Sequence, residues 1–557
     1  MANMVNLTID GKMVQAPEGT NLIDAADLVG VHIPNLCYLK GSKGIGACRL
    51  CLVEIEGMRA PMIGCTTKVK EGMVVNTRTE RVQEVRKFVI DLILSMHPLD
   101  CMTCTKAGIC RLQEYAYEMG VKESSFTRKK FGYPTDEANP FIKRDPEYCV
   151  LCGRCVRACK DQGTNVLEFM GRGVGSKVTT AQDKPLQESG CTFCGSCVDA
   201  CPVNALLEAD RWKKGREWDY DHVNSVCLLC GNSCDINVST RDGRLMKVNA
   251  GAIEGSAERF ICAYGRFGYD CVEAENRITS PMKRVNNELV ETTWEDALAI
   301  VAGELKKAGA DAGFVATGGM LNEDALTLKR LASEAVKTKN TDTTVSLYGD
   351  AASLMSGPAD LEAADLFVVV DLDANQWKRV LPAIDAVIRR KVTAGGKLIT
   401  INTSETNLGS LATVNLMESE PEALRSLAKA LMEKGLTGSS DLSSAVASAT
   451  VTEAMEKAAA LYAEAKNPVV LTSPAMYASA ANIGLLKGSV VSVPVESNAK
   501  GVLLMGLTTE GKSYTEMTTS GMKLLYTVGD VPVTGRPANT GCLIVQHSHL
   551  SDLAKQA

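Results

Sequence analysis

The sequence contains no run of roughly eighteen apolar residues, so no segment is long enough to cross a bilayer as a helix. Its amino terminus, MANMVNLTIDGK, has no basic stretch followed by an apolar run, and a secretory leader is therefore not expected. The expected location is cytoplasmic, with no direct membrane insertion. Strong charge of one sign is also missing: the formal net charge is -6, which argues against nucleic acid or an anionic membrane as partner. Cysteine is absent between Cys271 and Cys542. What remains is a chain of 557 residues with ordinary composition, 45% hydrophobic and 23% charged, with room for several domains at about 100 to 200 residues each.

The cysteines crowd into the first half. In a reducing compartment such a density points to metal binding or catalysis rather than a disulfide framework. Apart from Cys271 and Cys542, which read as buried inert thiols, they fall into five sets. The first is Cys37, Cys48, Cys51 and Cys65, with glycines at 41, 44 and 46 that let the backbone wrap an inorganic core and aim amides at its sulfides. Strand-like VNLTID and MVQAP and helical NLIDAADLVG put this loop in a β-grasp domain of the plant 2Fe-2S type, though the spacing differs from the common one; structural zinc is the alternative. The second set is His97, Cys101, Cys104 and Cys110 in HPLDCMTCTKAGIC, where spacing alone leaves zinc and a cluster level. A neutral imidazole in place of a thiolate would leave a cluster less negative and raise its potential.

The third and fourth sets each read C-x2-C-x2-C-x3-C: Cys149, Cys152, Cys155 and Cys159, then Cys191, Cys194, Cys197 and Cys201, the latter followed by Pro202. This is the most specific signal in the chain. In such pairs the fourth cysteine of each run serves the other cluster, so Cys201 is expected with Cys149, Cys152 and Cys155, and Cys159 with Cys191, Cys194 and Cys197. The fifth set is Cys227, Cys230, Cys234 and Cys262. Its spacing also suits zinc, and its position after the other motifs favours a 4Fe-4S cluster.

Other features carry less. Lys106, Arg111, Lys143, Arg144, Arg154, Arg157 and Lys160 surround the cysteines and read first as solvated faces, although near anionic clusters such cations would raise potentials or dock a partner. The glycines of GRGVGSK at 171–177 do not make a dinucleotide fingerprint. The segment RVQEVRKFVIDLILSMH is expected as a helix with its Val, Ile and Leu face inward.

Beyond about 280 the pattern changes. A turn at Asn286 and Asn287 and a helix capped near Thr292 or Thr293 open the new region. Buried-strand runs follow near 313, 366, 397, 468, 524 and 542, separated by helical stretches at 324–338, 380–393, 421–434 and 452–465. This alternation predicts a doubly wound α/β region, with 438–450 read as a loop.

The order of the five motifs resembles the large iron-sulfur subunit of NADH dehydrogenase (respiratory complex I) and the related front ends of NAD-linked iron hydrogenases and formate dehydrogenases. By position, Cys37, Cys48, Cys51 and Cys65 match that family's 2Fe-2S ligands, and His97, Cys101, Cys104 and Cys110 its histidine-ligated 4Fe-4S cluster. Both interlocked runs are complete here, which is closer to the soluble hydrogenase, formate dehydrogenase and transhydrogenase versions, some of them electron-bifurcating. From about 225 the chain resembles the molybdopterin oxidoreductase fold. Where that family carries a Cys, selenocysteine or Ser metal ligand, this sequence has Tyr348, Gly349 and Asp350 and no cysteine, so the region is expected to be degenerate, with no molybdopterin. The chain ends at QHSHLSDLAKQA, earlier than that fold is expected to end.

The resulting expectation is an α+β multidomain protein: a 2Fe-2S ferredoxin-like domain at 1–80, a 4Fe-4S domain with His and three Cys ligands at 81–138, a 2x4Fe-4S ferredoxin-like domain at 139–218, a further 4Fe-4S domain at 219–280, and a molybdopterin-oxidoreductase-like α/β region at 281–557. The resemblance implies an electron-transfer subunit with no substrate-converting site of its own. Its implied partners are a flavin-containing NADH-oxidising subunit carrying FMN, a small thioredoxin-like 2Fe-2S subunit, and a ferredoxin or another catalytic subunit. A catalytic molybdenum or tungsten formate dehydrogenase and a zinc-held scaffold are the alternatives. One 2Fe-2S and four 4Fe-4S clusters amount to about eighteen irons per chain. Anaerobic purification followed by iron and zinc analysis checks that number, and a colourless protein with four or five zinc ions would reject it.

Overall fold

A computed structural model describes residues 3–251, 261–348, 360–372, 381–533 and 535–557. They form two compact units, Met1–Ser225 with Asp235–Phe267, and Val226–Cys234 with Gly268–Ala557.

The first unit opens with a hairpin of strands Met4–Ile9 and Lys12–Pro17, in register from Met4 opposite Pro17 to Ile9 opposite Lys12. Asp10 and Gly11 both have positive φ, 46° and 79°, the turn whose twist suits a two-residue hairpin. Met4–Ile9 alternates exposed and buried residues, and Val5, Leu7 and Ile9 join Leu22, Ile23, Val53 and Val75 in one core. Strands Val74–Asn76, Leu52–Ile55 and Met62–Ile63 complete a five-stranded sheet, with Val74–Asn76 parallel to the first strand. With helix Leu22–Asp27, capped by Asn21, this is the expected β-grasp.

Helix Glu80–Leu94 follows, capped by Thr79. Its buried stripe is Val82, Arg86, Ile90 and Leu94, four residues apart. The expected Val, Ile and Leu face is inward at Val82, Ile90 and Leu94; Arg86 shares that stripe, while Val85, Phe88 and Leu92 are exposed. Buried carbonyls explain this, because the Arg86 guanidinium donates to the oxygens of Leu50 (2.9 Å) and Leu52 (2.6 Å). Next come two short helices, Arg154–Asp161 and Ser196–Ala200, each preceded by a left-handed glycine, Gly153 and Gly195. Strands Ile142–Arg144 and Leu206–Glu208 pair antiparallel and tie the two ends of this segment together.

The second unit contains the hairpin Met282–Val285 and Glu288–Glu291, turned at Asn286 and Asn287 as expected. Thr293 caps helix Trp294–Ala308. Two wholly parallel sheets follow. In one, the order is Thr341–Thr343, Ala312–Ala316, Leu524–Val528, Cys542–Gln546; in the other, Val414–Leu416, Lys397–Ile401, Leu366–Val370, Pro468–Thr472, Ser489–Ser492. The five-stranded sheet is therefore built entirely from chain lying between the second and third strands of the other. All six anticipated strands are present. The segment 438–450 differs: Ser440–Val446 is a helix, because Ser439 accepts from the Leu442 amide and Val446 is buried. Among the described residues no helix is long and apolar enough to cross a membrane.

Leu366–Val370 is buried along its whole length. Phe367→Ala, at a position with 0% exposure, should cost about 3 to 5 kcal/mol. A denaturant melt that leaves the midpoint unmoved would contradict this packing.

Candidate metal centres

The first cysteine loop folds onto the β-grasp. Cys37 and Cys51 are fully buried, and Cys65 is 2% exposed. Side chains interact in pairs, Cys37 with Cys48, Cys51 with Cys65, and Cys37 with Cys65. The neighbouring Cys37 side chain and burial push the Cys48 thiol up, whereas the Cys65 side chain holds Cys51 below its ordinary value. The amide of Leu36 donates to Cys48 Sγ (3.4 Å). At Gly44 a Cβ would stand 2.0 Å from the Cys65 carbonyl oxygen, so only glycine permits this close wrap.

The second set gathers at the end of helix Glu80–Leu94. His97, Cys101 and Cys110 line one pocket with Leu94, Leu112 and Val121, and Cys104 interacts with Cys101 and Cys110. Burial lowers the His97 pKa to about 4, so the imidazole is neutral at physiological pH, and its buried Nδ1 has no hydrogen-bond partner. A neutral imidazole with an unpartnered buried nitrogen suits a metal ligand. Trp218 and Arg216 close the loop. Trp218 lies so near Gly108 that a Cβ there would be 2.2 Å from the indole, and Arg216 donates to the Cys104 carbonyl. Neither was suggested by the sequence, where each lies more than a hundred residues from the loop it covers.

The two ferredoxin-like runs share one local geometry. Leu151 and Phe193 both have positive φ, 54° and 55°, and their amides donate to Cys149 Sγ and Cys191 Sγ, each at 3.4 Å. The fourth cysteines cross over. Cys149, Cys152, Cys155 and Cys201 line one pocket, while Cys159 interacts with Cys191 and Cys197. Burial pushes Cys149 up to about 11, Cys152 to about 12, and Cys155 and Cys197 well above the usual thiol range. Leu36, Leu50, Ile90, Leu94, Cys110, Cys155, Cys159, Cys197 and Cys201 belong to a single apolar core.

In the fifth set, Cys227, Cys230 and Cys234 are buried in one unit, and the Cys227 amide donates to the Cys234 carbonyl (2.8 Å). Cys262 belongs to the other unit, where the Gly265 amide donates to its Sγ (3.5 Å). Two expectations are corrected. Cys271 is exposed and Cys542 half-buried, the first in the short 3-10 helix Gly268–Glu273 and the second on an edge strand. Lys106, Arg144 and Arg154 are buried rather than solvated, because the folded cysteine loops cover them. Among the described residues no three metal-binding side chains converge as one ion would need; an iron-sulfur core would span a wider set of ligands than a single ion does.

Of the stretch where the resemblance places the family's metal ligand, Tyr348 lies among the described residues: it hydrogen-bonds Glu496, which also accepts from Thr344 Oγ1 (2.8 Å). Gly349 and Asp350 lie outside the described residues.

Cysteine-lined cavities on one core, followed by paired parallel α/β sheets, define an iron-sulfur oxidoreductase subunit. The chain belongs to the molybdopterin oxidoreductase family, whose model matches residues 277–556. Ahead of that region it matches a 2Fe-2S iron-sulfur cluster binding domain (2–80), the NADH-ubiquinone oxidoreductase-G iron-sulfur binding region (86–125), a 4Fe-4S dicluster domain (148–205) and the molybdopterin oxidoreductase Fe4S4 domain (220–274). It is 32% identical over 487 residues to the NADPH-Fe(3+) oxidoreductase subunit alpha of Geobacter sulfurreducens, covering 81% of this chain and 56% of the relative. It is 32% identical over 376 residues to the NADH-quinone oxidoreductase subunit 3 of Thermus thermophilus, covering 61% and 47%. The chain thus spans about half the length of the curated relatives it matches.

Gly44→Ala should force the Cys65 carbonyl away and empty the first centre selectively. The expected result is loss of about two irons per chain and of the 2Fe-2S electron paramagnetic resonance (EPR) signal, with the 4Fe-4S signals kept.

Proposed function

We propose that this chain relays single electrons between a flavin-containing NADH- or NADPH-oxidising partner subunit and a second redox partner, a ferredoxin or another catalytic subunit. A bound iron-sulfur cluster supplies one-electron uptake and release. Cys37, Cys48, Cys51 and Cys65 hold the 2Fe-2S cluster. His97, Cys101, Cys104 and Cys110 hold the first 4Fe-4S cluster, and the crossed sets of Cys149, Cys152, Cys155, Cys201 and of Cys191, Cys194, Cys197, Cys159 hold the next two. Cys227, Cys230 and Cys234 are ligands of the last. The small thioredoxin-like 2Fe-2S subunit completes the assembly, and the α/β region converts no substrate.

The observation that carries this reading is the exchange of Cys159 and Cys201 between two cysteine runs packed on one apolar core. It ties the two sites together covalently through helices Arg154–Asp161 and Ser196–Ala200. The chain's own groups do the rest. Leu151 and Phe193 amides stabilise negative sulfur, apolar walls keep water away, and the neutral His97 leaves its site one negative charge short of the others. Relatives named for NADH-quinone and NADPH-Fe(3+) oxidoreduction support the identity of the donor.

Cys194→Ser in the purified complex should remove or alter one interlocked 4Fe-4S signal and stop electron passage through the chain. Dye-linked NAD(P)H oxidation by the flavin partner should persist. Equal loss of that activity, or stoichiometric molybdenum or tungsten in the native protein, would reject the relay.

A further inference from the structure

The two interlocked runs are alike in backbone but not in charge. Each places a left-handed glycine before its third cysteine, Gly153 (φ 66°, ψ 12°) and Gly195 (φ 70°, ψ 5°). The residue after that glycine is Arg154 in one run and Ser196 in the other; two residues past the third cysteine stand Arg157 and Asp199. Equivalent positions therefore carry two cations in the first run, and a neutral residue and an anion in the second.

Their partners sharpen the difference. Arg154 is 9% exposed, its Nε has no hydrogen-bond partner, and no carboxylate is bonded to it among the described residues. Its electrostatic neighbours are the cations Arg111 and Arg157 and the thiols Cys152 and Cys201, both from the cavity of Cys149, Cys152, Cys155 and Cys201. Arg157 donates only to carbonyl oxygens, those of Gly153, Lys43 and Cys37. Arg144, which also lines that cavity, is paired with Asp136 at 3.1 Å. Beside the second run the one buried cation is neutralised. Arg266, 2% exposed, forms a two-pronged ion pair with Asp199 (2.8 and 2.6 Å) and donates Nε to the Cys194 carbonyl (2.7 Å). A Cβ on Gly195 would sit 2.2 Å from the Arg266 side chain, so this pairing is built into the loop.

An uncompensated cation in a poorly solvated interior has few anions to interact with, and an iron-sulfur site that becomes more negative on reduction is one. We infer that Arg154, assisted by Arg157, splits the two interlocked clusters in potential, so that the one held by Cys149, Cys152, Cys155 and Cys201 is reduced first and its twin second. Arg154 is a positioning residue for charge and touches no substrate. Each reduction adds one electron from an external donor and breaks no bond. The inference rests on the proposed cluster ligands.

An EPR-monitored redox titration with dithionite, on the complete chain with its iron measured, tests it. In the native protein the two interlocked 4Fe-4S signals should separate by tenfold or more in reduction equilibrium, about 59 mV for one electron. Arg154→Gln should make the more easily reduced one at least tenfold harder to reduce, and Arg154→Lys should restore it. The shifted signal should survive in the Arg154→Gln/Cys194→Ser double variant. If Arg154→Gln loses iron, Arg157→Gln takes its place with a shift in the same direction. Full iron with an unmoved signal, or a shift that follows the Cys194 site, would overturn the charge assignment alone. Native protein with far fewer than about eighteen irons would overturn the cluster sites and this inference with them.

Discussion

The cysteine half of this protein is organised by one constraint: thiols packed into an apolar core cannot ionise without a cationic partner. Burial first, and the neighbouring cysteines after it, drive Cys149, Cys152, Cys155, Cys191 and Cys197 upward. Metal-bound sulfur is the form of cysteine that this interior tolerates as an anion. Cys110, Cys155, Cys159, Cys197 and Cys201 all belong to one buried core, so metal bound there would stabilise the folded state.

The backbone around those thiols does the fine adjustment. Amides of Leu36, Leu151, Val166 and Phe193 point at sulfur at 3.2 to 3.4 Å. Glycines at 44, 153 and 195 permit the close turns, two of them through positive φ. Arginine supplies the opposite sign at selected places. Arg86 braces the first loop through the Leu50 and Leu52 carbonyls, and Arg266 braces the fourth set through Cys194. The two runs thus share a backbone geometry but differ in the charges set around it.

The α/β half has a different economy. Its central strands Ala312–Ala316, Leu366–Val370 and Pro468–Thr472 are buried from end to end within parallel sheets. One sheet is interrupted after Thr343 and resumed at Leu524, and the other sheet is built from the chain in between. Tyr348 and Thr344 are both hydrogen-bonded to Glu496 in this half.

Much was legible in the residues themselves. Cysteine spacing is set by the size of the inorganic core, so it survives as a local pattern; so do the Asn286 and Asn287 turn, the Thr293 cap and the six apolar strands, each decided by neighbours in sequence. The short strand Thr341–Thr343 and helix Ser440–Val446 escaped because polar residues in both are stabilised by distant packing and a single cap. The burial of Arg86, Arg154 and Arg266, the cover of Trp218 over Gly108 and the nesting of one sheet's chain within another could not be read from the sequence. The sequence alone determined which atoms can grip metal and where strands begin, because those depend on spacing and period. Only the tertiary structure decided which charges are left uncompensated beside those atoms, because screening and ion pairing are properties of neighbours that the chain brings together from far apart.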